Sequence, residues 1–125
     1  MARILKFVTL AIALAGGSSA NAAGDAAKGK SVFQAQCSTC HTVVAGKASG
    51  IGPNLYGVVG RTAGTLPRYQ FSTAMKSAGF NWSEAQLRAY LQAPGNVVRG
   101  NKMPFAGLGG SQKLNDLVAY LGTLK

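Results

Sequence analysis

At 125 residues the chain has the length of one domain, and its 47% hydrophobic content is that of a folded protein rather than a disordered tail. Thirteen Lys and Arg against three Asp and Glu give a formal charge of +10. Past the first few residues the basic side chains are scattered from Lys28 to Lys125 rather than gathered in a stripe, which argues against nucleic acid and for an acidic protein partner.

Arg3 and Lys6 lead into the apolar run 7–15, followed by small residues and Ala20-Asn21-Ala22, the order of parts in a secretory signal peptide. The run is far short of the roughly 20 apolar residues that span a bilayer. Cleavage is expected after Ala22, so that residues 1–22 are a leader and residues 23–125 a single soluble domain in the periplasm. Losing Arg3 and Lys6 lowers the formal charge from +10 to +8. An exported protein with two cysteines forms one disulfide by default, so the surroundings of Cys37 and Cys40 decide their chemistry.

Asp25 is placed to cap a first helix running towards Cys37, with Gly29 and Phe33 four apart on one face. Residues 42–65 are rich in glycine and small residues, carry the turn signal Gly52-Pro53-Asn54 and hold no period, so they read as loop. Residues 72–78, closed by Gly79, read as a short helix. Ser83-Glu84-Ala85-Gln86 fits a capping box, with Trp82 before it placed to pack on Leu87; the helix that starts there stops at Pro94. Residues 95–110 read as irregular. Ser111 then caps a last helix in which Leu114, Leu117, Val118 and Leu121 recur at i, i+3, i+4 and i+7. Loops this long in so small a domain need something to organise them.

Cys37-Ser38-Thr39-Cys40-His41 is a C-x-x-C-H pattern, the attachment site of c-type haem. On a helical turn, positions i, i+3 and i+4 share a face, so two thiols can form thioethers to the haem vinyl groups while the imidazole reaches the iron. A thioredoxin-type pair would need a strand-helix-strand setting, and a closed zinc site a fourth Cys or His; neither is present in the sequence. His41 is the only histidine, which leaves Met, Lys, a weaker ligand or an open position on the other side of the iron. Met103, in an irregular segment held extended by Pro104, is the preferred second ligand, with Met75 in a helical stretch as the alternative. His/Met ligation favours Fe(II) and leaves no vacant site for substrate.

These residues stand in an order that resembles the mitochondrial cytochrome c and bacterial cytochrome c2 family from about Gly24 to the C-terminus. The landmarks are Gly29 and Phe33, Gly52-Pro53-Asn54-Leu55, Gly60-Arg61, Trp82, Tyr90-Leu91, Pro94, Lys102-Met103 and the run from Asp116-Leu117 to Tyr120-Leu121. The resemblance implies an all-α class I cytochrome c fold: three main helices, a short helix and long loops around one covalently bound haem c. It implies that the Pro53 carbonyl accepts the His41 imidazole hydrogen bond and that Met103 supplies the iron's sulfur. It further implies that Arg61 and Trp82 serve the buried propionate, that Tyr90 lies near the Met103 sulfur, and that Gly29 and Phe33 pack on Leu117 and Tyr120.

Two departures stand out. Phe71 occupies a position where the family often has a propionate-bonding tyrosine. Where the family rings its haem edge with lysines, the chain has Ser31, Gln36, Ala48, Gly95, Asn96, Gly109 and Gly110, so Lys102 alone clearly remains, and Phe105, Leu108 and Val97 are expected to form an apolar rim. The function implied is electron transfer by a monomer between redox complexes such as a quinol:cytochrome c reductase, a cytochrome oxidase, a photosynthetic reaction centre or a periplasmic dehydrogenase. A haem peroxidase or gas-binding cytochrome with an open sixth position is the alternative; it is disfavoured because the single histidine is already used and no general base is evident.

Overall fold

A computed structural model describes residues 24–125; the expected leader and its cleavage after Ala22 lie outside the described residues. Five helices follow in order: α1 (Ala26–Gln36), α2 (Thr73–Lys76), α3 (Glu84–Gln92), α4 (Pro94–Val97) and α5 (Ser111–Gly122). The described residues hold no sheet, only an isolated antiparallel bridge between Thr62 and Asn81.

The terminal helices α1 and α5 cross, and glycine is what lets them meet. A Cβ at Gly29 would lie 1.8 Å from the Asp116 carbonyl oxygen and 2.8 Å from Tyr120 Cβ, well inside contact distance. Beside this crossing the Phe33 and Tyr120 rings sit 5.6 Å apart, and Leu117 is 1% exposed. The expected contact of Gly29 and Phe33 with the last helix is therefore present.

Local signals set most helix starts. The Asp25 carboxylate accepts the Lys28 N–H at 3.1 Å, the Ser72 hydroxyl that of Met75 at 3.1 Å, and the Ser83 hydroxyl that of Gln86 at 3.1 Å. Three expectations are corrected. The capping box at Ser83 is half closed, because the Ser83 N–H goes to the Asn81 carbonyl at 2.8 Å instead of to Gln86. Gly110, at φ +88°, is the N-cap of α5 and Ser111 lies inside the helix; a residue with positive φ turns the chain into the helix without a side-chain cap. Pro94 ends α3 but also starts α4 at its first position, where a missing N–H costs nothing, so residues 95–97 of the expected irregular segment are helical.

Asp116, 4% exposed, ties the first described residues to α5. Its Oδ1 accepts the Asp25 N–H at 2.8 Å and Gln112 Nε2 at 2.9 Å. The Asp25 bond, then the Gln112 bond, hold its carboxyl below the usual carboxylate range. A lowered folded value stabilises the protein above the unfolded carboxyl's titration and loses that stabilisation as pH falls through the folded value. Asp116→Asn is expected to lower the midpoint of urea unfolding at neutral pH, and the gap to the parent protein should close in acid. A gap independent of pH would show that the charge is not what matters.

Candidate functional site

The loops close around a cavity of about 390 Å³, within the roughly 300–1,000 Å³ range of small-molecule and cofactor sites. Cys40, His41, Trp82, Tyr90 and both Met75 and Met103 line it. A smaller adjoining cavity of about 100 Å³ is shared by Cys37, Cys40, His41, Met103 and the core residues Phe33 and Leu117. The motif thus borders both cavities, the smaller of which reaches Phe33 and Leu117 at the helix crossing.

Where α1 ends, the chain turns through the motif: Cys37 N–H bonds the Phe33 carbonyl at 2.8 Å, and His41 N–H the Cys37 carbonyl at 3.0 Å. Both thiols are free and half-buried. Burial, with a smaller contribution from Cys40, pushes the Cys37 thiol up to about 11. A thiol kept protonated in this way is a poor nucleophile for disulfide exchange, whose cysteines have lowered values.

His41 Nδ1 lies 2.8 Å from the Pro53 carbonyl oxygen, as the resemblance implied. This bond fixes the tautomer: Nδ1 carries the proton and donates it, which leaves Nε2 with a free lone pair. Burial lowers the imidazole below its usual value, opposed by the bond to Pro53, and this keeps the ring in the neutral form that binds metal. Gly52 forms the floor beneath the ring, since a Cβ there would lie 2.5 Å from His41 Cε1 and 3.0 Å from Nε2.

Met103 is held by its own loop. Its N–H donates to Asn101 Oδ1 at 2.9 Å, Asn101 Nδ2 donates to the Val98 carbonyl at 2.9 Å, and Leu108 N–H anchors the far end on the Leu91 carbonyl at 2.8 Å. At Gly107 the loop passes so close to α3 that a Cβ would meet the Gln92 carbonyl oxygen at 2.1 Å. Met75, 8% exposed, reaches the same cavity from α2, so burial in the site does not by itself separate the two methionines.

Trp82 is held in the wall by main-chain bonds, its N–H to the Arg61 carbonyl and its carbonyl from the Gly60 N–H, both at 2.8 Å, and its ring stacks edge-on with Tyr90 at 4.9 Å. Burial, with Tyr69 adding to it, pushes the Tyr90 phenol up to about 12, so it remains a donor inside the cavity. Arg61 is not among the lining residues: its guanidinium donates to the carbonyls of Asn54 at 3.1 Å and Tyr56 at 3.4 Å. Phe71 lines the cavity and packs edge-on against Tyr69 at 4.7 Å. Leu108, expected on the rim, is 7% exposed and belongs to the core.

At the mouth the sequence pointed to Lys102 but not to Ile51 or Tyr69. Ile51 is 70% exposed at its edge, the Tyr69 hydroxyl donates to the Ile51 carbonyl at 3.0 Å, and Lys102 Nζ sits 4.8 Å from the centroid of the Tyr69 ring. The donor set fits a covalent haem: the Cys40 thiol, the neutral His41 imidazole and the Met103 thioether border the larger, mostly apolar cavity, and the Cys37 thiol borders the smaller one beside it.

Comparison with known proteins agrees with that geometry. The family model described as Cytochrome c matches residues 26–125. The chain is similar to cytochrome c2 of Rhodomicrobium vannielii, 43% identical over 121 residues that cover 97% of this chain and 96% of that protein. It is also similar to cytochrome c2 of Agrobacterium tumefaciens, 45% identical over 101 residues, 78% of this chain and 90% of that one. Among solved structures, cytochrome cH from Methylobacterium extorquens superposes with a TM-score of 0.75 at 42% identity, over 80% of this chain and 99% of that one.

Gly52→Ala is expected to displace the His41 ring or its loop, destabilising the holoprotein by about 1–3 kcal/mol, the usual cost of overpacking. Urea unfolding followed by visible absorption checks this, and an unchanged midpoint would mean that the ring has room to move.

Proposed function

The chain belongs to the cytochrome c family, and from that premise we propose that it is a soluble periplasmic shuttle whose haem iron is bound by His41 and Met103. Proteins of this family carry electrons and are not enzymes, and one haem c is attached covalently, here through Cys37 and Cys40. When bound, the haem supplies an iron that cycles between Fe(III) and Fe(II) by gaining and losing one electron. The observation that carries the reading is the convergence on one apolar cavity of Met103 and of His41, whose Nδ1 is already tied to Pro53 at 2.8 Å.

The residues then divide the work. Pro53 orients the imidazole and strengthens it as a donor. Met103 supplies a soft sulfur that favours Fe(II), and its loop, anchored through Asn101, holds it in place. Tyr90 offers a hydroxyl to that sulfur, and Trp82 and Arg61 hold the propionate side: Trp82 from the cavity wall, Arg61 by bracing the loop carbonyls of Asn54 and Tyr56. Export by the leader, with residues 23–125 as the mature domain, places the carrier in the periplasm. Among the described residues no helix is long and apolar enough to cross a membrane. Its partners are redox complexes, a quinol:cytochrome c reductase, a cytochrome oxidase, a photosynthetic reaction centre or a periplasmic dehydrogenase, met as a monomer.

Met103→Ala is expected to abolish the weak far-red band of the oxidised protein, lower the reduction potential and bring out peroxidase activity, while Met75→Ala keeps the band. The reverse pattern would move the ligand to Met75.

Lys102, on the cavity rim, is the charge best placed to orient a partner. Charges farther from the mouth than a Debye length of about 8 Å are largely screened at physiological salt. Electron transfer to a purified oxidase should therefore depend only weakly on ionic strength, and Lys102→Ala should remove most of that dependence. A steep dependence that survives the substitution would show that distant charges orient the encounter.

A further inference from the structure

We propose that Asn54 is a positioning residue for the haem ligand: it holds the Pro53 carbonyl in the direction from which it takes the His41 Nδ1 proton, and so sets the orientation and donor strength of the imidazole. The proposal rests on the reading of His41 as an iron ligand.

Asn54 is 7% exposed, a polar side chain packed into a small core. Both of its amide protons are used, one on the Val44 carbonyl and one on the Lys47 carbonyl, each at 2.8 Å. Its Oδ1 accepts the Tyr56 N–H at 3.0 Å. Its main chain is equally occupied, with the N–H donating to Ser49 Oγ at 2.9 Å and the carbonyl accepting from Arg61 Nη2 at 3.1 Å. One residue thus joins the turn at residues 44–47, Ser49, Tyr56 and Arg61.

The link to His41 follows from peptide geometry. The Pro53 C=O and the Asn54 N–H belong to one planar peptide unit, in which they point in opposite directions. Ser49 holds the N–H at one end, which aims the carbonyl at the imidazole on the other. Proline has no N–H of its own, so Pro53 adds no main-chain donor to fix this peptide unit, and the hold on it comes from the Asn54 side. Gly52 is pressed against the ring, and the Asn54 side chain resists rotation of the Pro53 peptide plane by fixing the residue to the Val44 and Lys47 carbonyls. Partners one step beyond a metal ligand tune the metal in this manner: a firm acceptor on Nδ1 makes the imidazole a better donor and favours Fe(III).

The test uses the holoprotein and three variants. In the oxidised parent, the His41 ring protons should resonate far outside the normal range, which establishes His41 as the ligand. Asn54→Ala should move these resonances, raise the reduction potential, and speed exchange of the Nδ1 proton roughly tenfold or more, the opening expected when a buried network loses its partners. Ser49→Ala removes only the hydroxyl that holds the peptide unit and should shift the same observables in the same direction by less; it carries the test if Asn54→Ala does not fold. Asp116→Asn, at the helix crossing, is the control for destabilisation alone and should leave the His41 resonances and the potential in place. The proposal is overturned if Ser49→Ala and any folded Asn54→Ala protein shift these observables no more than Asp116→Asn does. A parent protein without shifted His41 resonances would instead overturn the ligand reading and the proposal with it.

Discussion

The 2.8 Å bond between His41 Nδ1 and the Pro53 carbonyl is the contact on which the other loops depend. It spans 12 residues and closes the glycine-rich segment against the motif, so the rest of that segment must satisfy its polar groups around a fixed point. Gly52 has to lack a side chain because the ring lies on it, and its N–H returns to the Cys40 carbonyl at 2.8 Å. Arg61 contributes to the same closure, with a half-buried guanidinium given to loop carbonyls.

The helices support this arrangement from behind. A chain with about 100 described residues has little core to spare, and here the core is wrapped around a large cavity. Left unfilled, an enclosed void of 390 Å³ would cost on the order of 9 kcal/mol at about 24 cal/mol per Å³. Because the site is open at its mouth that figure is an upper bound, set against a whole stability of typically about 5–15 kcal/mol for a small domain. The covalent haem is therefore part of the fold as well as the seat of the chemistry. The α1–α5 crossing, closed by Gly29 and latched by Asp116, supplies the firm element against which the motif turn is delivered.

Much of this was legible in the residues because local rules carried it. Five residues from Cys37 to His41 specified the cofactor, caps at Asp25 and Ser83 marked helix starts, and the period of Leu114, Leu117, Val118 and Leu121 gave the core face of α5. The signals that misled were equally local. Ser111 has the chemistry of a cap, but the positive φ available to Gly110 moved the helix start back by one residue, and the Ser83 N–H that Gln86 would take is given to the Asn81 carbonyl. Asn54 was legible as a turn residue and landmark but not as a brace, and Asn101 not at all: an asparagine in a loop becomes a brace only once the loop's own path brings carbonyls to its amide, and no spacing rule encodes that. Leu108 looked like rim for the converse reason, since a leucine among glycines reads as exposed until its loop is anchored on Leu91.

Electron transfer explains why the loops are braced so completely. A reaction that makes and breaks no bond has a barrier set by how much the surroundings must rearrange when one charge moves, so the useful property of the site is that it stays still. Among the described residues, no buried side-chain nitrogen or oxygen lacks a hydrogen-bond partner. Satisfied polar groups in a low-dielectric setting are costly to reorient, and each bond strengthens its neighbours. The methionine loop and the proline loop approach the cavity from different parts of the chain, yet both are fixed in the same way, by an asparagine whose amide is given to nearby carbonyls. Helices would have presented only side chains at this distance, whereas braced loops can also present a main-chain carbonyl to the imidazole. Long loops are thus the means by which so small a chain surrounds its cofactor with oriented dipoles, and their bracing keeps those dipoles in place as the charge changes.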